Sequence, residues 1–134
     1  MTKRNFIIFT CLVFSILVLS SCNKTQDDNK CLSYIKAPVI KVEGPNTGLV
    51  NQDINLTVSF GCFNGCGQFG NFEQTSNGDT TTINVIAKYE GCLCTLDAPL
   101  RQTTFKFKVT QTGTYYLKFL QTGKTYLTDT IRVQ

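Results

Sequence analysis

The 134-residue chain contains no histidine and no tryptophan. Histidine is the usual general base near neutral pH and the commonest metal ligand, so Ser-His and Cys-His nucleophile pairs and histidine-ligated zinc are excluded. Without tryptophan there is no indole platform for a sugar, although the five tyrosines can still stack. Charge is sparse, at 16% of residues, and the acidic groups of the region after residue 37 are scattered singly from Glu43 to Asp129. They offer no close pair in sequence for a glycosidase, whose two carboxyls must sit about 5–9.5 Å apart. No glycine-rich phosphate loop opens a helix. These absences point away from an enzyme, and neither a cofactor nor a resident metal is expected.

What is present begins with a leader. Lys3 and Arg4 precede an apolar run at 6–19 that holds no charge, proline or glycine. A charged start followed by about 7–15 apolar residues is a secretory signal. A spanning helix needs about 20, so this run is short for one. It ends at Leu19-Ser20-Ser21-Cys22, where small residues fit a signal peptidase and the cysteine supplies a thiol. This segment resembles the lipobox of bacterial lipoproteins. The resemblance implies cleavage before Cys22 and a thioether-linked diacylglycerol on Cys22, usually with an acylated amino group. Two or more acyl chains make a stable anchor, so the membrane is an expected partner through Cys22.

The predicted organisation is therefore a signal peptide at 1–21, a lipidated cysteine and flexible linker at 22–37, and one domain at 38–134. Removing 21 of 134 residues leaves 113, the size of a single domain. Loss of Lys3 and Arg4 lowers the formal charge from +4 to +2, which gives no argument for a nucleic-acid partner. Residues 23–30 are wholly polar and cannot bury enough apolar area to offset ordering. Asp27-Asp28, shortly after Lys24, is similar to the export signal of surface-exposed lipoproteins in the Bacteroidota. The expected location is the cell envelope, at the outer membrane, facing the periplasm or the surface.

The domain alternates apolar and polar residues with period two and shows no sustained helical period. Seven strands are predicted, at about 39–43, 54–60, 68–73, 80–89, 103–109, 114–120 and 125–133. Turn signals separate them, including Asn77-Gly78. Seven short strands at regular spacing indicate an all-β fold, a β-sandwich. Gly113-Thr114-Tyr115-Tyr116-Leu117-Lys118-Phe119 resembles the penultimate strand of immunoglobulin-like domains in bacterial surface proteins. That resemblance implies a fold and no activity. The stripe of Lys106 and Lys108 reads as the wet face of a strand.

Cys11 leaves with the signal and Cys22 carries lipid, which leaves Cys31, Cys62, Cys66, Cys92 and Cys94, an odd number. An exported protein meets an oxidising compartment, so all five are disulfide candidates. With alternating strand directions, the loop holding Cys62 and Cys66 and the loop holding Cys92 and Cys94 fall at one pole. Cys31, just upstream of the first predicted strand, can reach the same pole. One or two bridges are expected between the loops, with Cys31 able to staple the tether to the sandwich or to link two molecules. Two competing readings use the same sulfurs: a thiolate zinc site from Cys62, Cys66, Cys92 and Cys94, and a redox dithiol at Cys92-Leu93-Cys94.

Asp79-Thr80-Thr81 and Asp129-Thr130-Ile131 are similar to the short O-glycosylation motif of Bacteroidota envelope proteins, which makes Thr80 and Thr130 candidate acceptors. The function expected is a membrane-anchored, non-catalytic binding or structural module that meets an envelope protein or a glycan. The alternative is a thiol-redox or metal-handling envelope protein.

Overall fold

In strand β4 (Ile54–Gly61) the apolar residues stand two apart, and Ile54, Leu56, Val58 and Phe60 are all buried. The same rule builds β6 (Thr80–Glu90) on Ile83, Val85, Ala87 and Tyr89, and β8 (Gly113–Leu120) on Leu117 and Phe119. This computed structural model describes residues 31–134. Their remaining strands are β1 (Leu32–Ala37), β2 (Val39–Glu43), β3 (Thr47–Gly48), β5 (Gly67–Asn77), β7 (Leu100–Phe107) and β9 (Tyr126–Val133). A short 3-10 turn, Thr122–Lys124, joins β8 to β9. Among the described residues no helix is long and apolar enough to cross a membrane. The predicted signal peptide, Cys22 and residues 22–30 of the predicted linker lie outside the described residues.

The expected β-sandwich is there, as two sheets. One contains β2, β4 and β7 in that order. The other runs β5, β6, β8, β9 and β3, with β1 also on β6. The pairing departs from immunoglobulin order at β6. In that order the fourth strand lies beside the strand after it, in the other sheet. Here β6 sits between β5 and β8 and pairs with β8 in parallel, from Thr80↔Tyr116 to Ile83↔Phe119.

The linker prediction needs correction at its C-terminal end. Residues 32–37 are strand β1, antiparallel to β6 from Leu32↔Glu90 to Ala37↔Val85. Only Pro38 separates β1 from β2, and the chain changes sheets there. Proline donates no hydrogen bond, which suits a corner. Its carbonyl accepts the Gly61 N–H at 3.0 Å, and Ala37 and Val39 on either side are buried.

The β5–β6 hairpin also differs in detail. Asn77 pairs with Thr80, so the two-residue loop is Gly78-Asp79 rather than Asn77-Gly78. Gly78 has φ +58°, the conformation that favours glycine at the first loop position. Farther along β5, the register shifts between Phe69 and Asn71. A Cβ on the intervening Gly70 would meet the Ile86 carbonyl oxygen at 2.9 Å, so glycine fits this bulge.

Aromatic rings connect the two sheets. Phe69 packs on Phe72 with centroids 4.8 Å apart, Phe72 meets Phe105 at 5.1 Å, and Phe105 meets Phe119 at 5.7 Å. Edge-to-face geometry suits the ring quadrupoles. Phe119 has no exposed surface. A Phe119→Ala variant should lose about 3–5 kcal/mol of stability. Urea unfolding checks this as a lower midpoint with unchanged slope.

Candidate functional site

The cysteines do gather at one pole. Cys66 is bonded to Cys94, which joins the β4–β5 loop to the β6–β7 loop as expected, with Cα atoms 5.5 Å apart. Cys31 is bonded to Cys92, with Cα atoms 4.9 Å apart, so the chain leading into β1 is stapled to the β6–β7 loop. Cys62, one of the five disulfide candidates, is instead a buried free thiol. Its side chain continues the inward alternation of Leu56, Val58 and Phe60, which turns it to the core. Three of the four sulfurs needed for the thiolate zinc site are thus in disulfides, and no group of metal ligands occurs among the described residues. Cys92 and Cys94 do not form a dithiol, since each is bonded elsewhere.

Backbone bonds bind the same loops. The Gly65 N–H donates to the Thr95 carbonyl at 3.1 Å, and the Cys62 N–H to the Pro99 carbonyl at 3.0 Å. The Gly91 N–H donates to the Cys31 carbonyl at 2.9 Å. Asn64 closes the turn before Cys66: its Oδ1 accepts the Cys66 N–H at 3.0 Å, and its carbonyl accepts the Gly67 N–H at 3.1 Å. From β7, Arg101 reaches across the loop. Its Nε donates to the Gly67 carbonyl at 3.1 Å and its Nη2 to the Gly65 carbonyl at 3.3 Å.

Under this loop the Cys62 thiol meets the Tyr89 hydroxyl. That hydroxyl accepts the Phe63 N–H at 2.9 Å, and the two rings stack with centroids 6.1 Å apart. Burial pushes the Cys62 thiol above its ordinary value, against smaller opposing effects from Tyr89 and Arg101. Burial likewise raises the Tyr89 phenol. At neutral pH the thiol is therefore protonated and a poor nucleophile.

Beside these groups lies an open, mainly apolar cleft of about 290 Å³ between β1 and the β4–β5 loop. Leu32, Ile35, Phe63 and Tyr89 line it, together with Cys31 and Cys94. Sequence reasoning missed Arg101 and the Tyr89 hydroxyl. Tyr89 reads only as a core residue, because the amide it holds is 26 residues away. Nothing in sequence marks Arg101, whose partners lie 34 and 36 residues upstream.

The two candidate glycosylation sites lie elsewhere, in one row of the larger sheet. Thr80 pairs with Tyr116, and Tyr116 pairs with Thr130. Thr130 is exposed, and its N–H is accepted by Asp129 Oδ1 at 2.9 Å. Thr80 is half-buried beside the hairpin. Lys106 and Lys108 are exposed, and Lys108 lies 3.8 Å from Asp53.

Two sheets around an aromatic core, closed at one end by disulfides, define the chain as a small β-sandwich protein. It belongs to the ORF11 beta-sandwich domain family, whose model matches residues 56–133, more than half of the chain and most of it from β4 to β9. No curated protein and no solved structure matches it.

Three outcomes follow for the pole. Replacing Cys66 and Cys94 together by alanine should lower stability by about 2–4 kcal/mol, read from urea unfolding under non-reducing conditions. The Cys62 thiol should react with a thiol reagent only after unfolding, and a Cys62→Ala variant should lose that signal. The folded-state values of Cys62 and Tyr89 are raised. Their contribution to stability is thus complete below the unfolded values of about 8.5 and 10, and is lost as pH rises through the raised folded values. The urea midpoint should fall over that alkaline range, and less steeply in Cys62→Ala.

Proposed function

We propose that this chain is the precursor of a bacterial, lipid-anchored cell-envelope protein whose sandwich is a non-catalytic binding or structural module. The observation that carries this reading is the pair of bridges, Cys31–Cys92 and Cys66–Cys94. Structural disulfides form and persist in oxidising, exported compartments. They agree with a leader at 1–21 and a lipobox ending at Cys22, two features read from different residues by different rules.

A binding role is favoured by how the pole is made. Rigid scaffolds present recognition on loops, and here both loops are cross-linked. A pre-ordered surface loses little entropy when it meets a partner. The cleft beside Phe63 and Tyr89 is apolar with few polar groups, which suits a protein side chain or the flat face of a sugar. The row of Thr80, Tyr116 and Thr130 is a second surface, where O-linked glycan on the threonines would be carried away from the pole.

The anchor has a direct test. Intact mass of the membrane-extracted protein should show loss of residues 1–21 and acyl chains on Cys22. A Cys22→Ser variant should move from the membrane fraction to the soluble fraction. An unmodified mature chain that fractionates as soluble would remove the anchor from this reading. Crosslinking in intact cells, followed by recovery of the lipidated chain, identifies the partner.

A further inference from the structure

The β6–β7 loop carries Leu93 and Leu96, each 97% exposed. Phe63 and Leu100, on the neighbouring loop and strand of the same pole, are 59% and 63% exposed. Exposed apolar residues are ordinary when scattered, but several at one end mark an interaction surface. Leu93 stands between Cys92 and Cys94, and both neighbours are held in bridges. The loop is therefore pinned with its apolar tip outward.

The entry point of the chain says what this tip faces. Cys31 is bonded to Cys92, the residue before Leu93. Only nine residue steps separate Cys22 from Cys31. Fully extended, they reach at most about 32 Å. Strand β6 runs from the hairpin at Gly78-Asp79 to the cysteine pole over 11 residues, and its roughly ten steps of about 3.3 Å make it about 33 Å long. With lipid on Cys22, only a tether at full stretch would match the length of the domain, so the cysteine pole, where the tether enters, is the end nearest the bilayer.

We propose that this pole rests on the lipid surface, with Leu93, Leu96 and Phe63 seated in the interfacial layer of the membrane. The inference rests on the lipid-anchor reading above. It adds an orientation and a second membrane contact: the cleft beside Phe63 and Tyr89 then faces lipid in place of a protein side chain or a sugar, and the sheet faces and the Gly78-Asp79 end are left for a partner. Charge near the tip is mixed. Glu90 is paired with Lys88, Asp97 is on the loop, and Arg101 donates to two carbonyls. Nothing there selects anionic headgroups, so a zwitterionic surface suffices.

The absence of tryptophan makes the test clean. Leu93→Trp and Leu96→Trp each install a single indole reporter on an exposed side chain, and Asp79→Trp at the opposite hairpin serves as reference. The full precursor is matured in a bacterium, purified with its lipid and reconstituted into phosphatidylcholine vesicles brominated near the top of the acyl chains. Seating at about 5–10 Å depth should blue-shift the emission of the Leu93→Trp and Leu96→Trp variants and quench both at least about twofold more than that of Asp79→Trp. Added phosphatidylserine should change this little. If the protein is acylated and vesicle-bound but all three reporters are equally unquenched, the orientation is overturned and the anchor stands. A blue shift that grows with protein density without bromine quenching assigns the tip to a second copy, and also overturns it. If mass spectrometry finds no acyl chain on Cys22, the anchor reading fails and takes this inference with it.

Discussion

A β-strand has two hydrogen-bonding edges, and the architecture follows from how β6 uses its own. Strand β5 occupies one edge along its length, from Asn77↔Thr80 to Gly67↔Tyr89. The other edge is divided. Parallel β8 takes Thr80 to Ile83, and antiparallel β1 takes Val85 to Glu90. Strand β8 ends at Leu120, where the chain turns toward β9, so the upper half of the edge would otherwise present unpaired backbone groups. An open edge invites pairing with other chains. The segment just upstream of the sandwich fills it. That segment buries little, since Leu32 to Lys36 are all exposed. Its ladder to β6 is reinforced by the Cys31–Cys92 bridge and the Gly91 to Cys31 hydrogen bond.

This explains which parts of the fold were legible in sequence. Where one face of a strand is buried, period-two alternation names both the strand and its inward residues, as in β4, β6 and β8. Strand β1 has no such contrast. It follows a polar run and precedes a proline, so its residues read as linker. Alternation also identifies faces and not neighbours. The parallel pairing of β6 with β8 joins segments more than thirty residues apart, and no local pattern encodes it. The pole of cysteines was legible because successive strands reverse direction. The connectivity was not, because five sulfurs allow many pairings. One signal was available: Cys62 stands two residues after Phe60, on the buried face of β4, which marks it as a core residue.

The loops at this pole are ordered by ties of different kinds. The β6–β7 connection has no regular structure from Gly91 to Pro99. A connection of that type is ordinarily the mobile part of a sandwich. Here two covalent bridges reduce the entropy of the unfolded chain. Backbone hydrogen bonds from Cys62 and Gly65 hold it to the β4–β5 loop. Arg101 donates to the carbonyl of Gly65, in that loop, and to that of Gly67, at the start of β5. Charged donors make stronger hydrogen bonds than neutral ones. Close packing adds a further constraint, since a Cβ at Gly67 would lie 2.6 Å from the Cys62 Cβ.

The odd thiol then has a physical place in the arrangement. A free cysteine four residues from a bridged one is a hazard, because a thiolate attacks disulfides and scrambles their pairing. The rate depends on the fraction ionised and on access. Cys62 is 3% exposed, which limits access. Burial also raises its ionisation range, which limits the thiolate. The Tyr89 hydroxyl meets the thiol without ionising it, because burial raises the phenol as well. Among the described residues no buried side-chain nitrogen or oxygen is left without a hydrogen bond, so this polar contact sits in the core without an unsatisfied partner. The alternation that places Cys62 among Phe60 and Tyr89 thus also preserves the two bridges that hold the pole together.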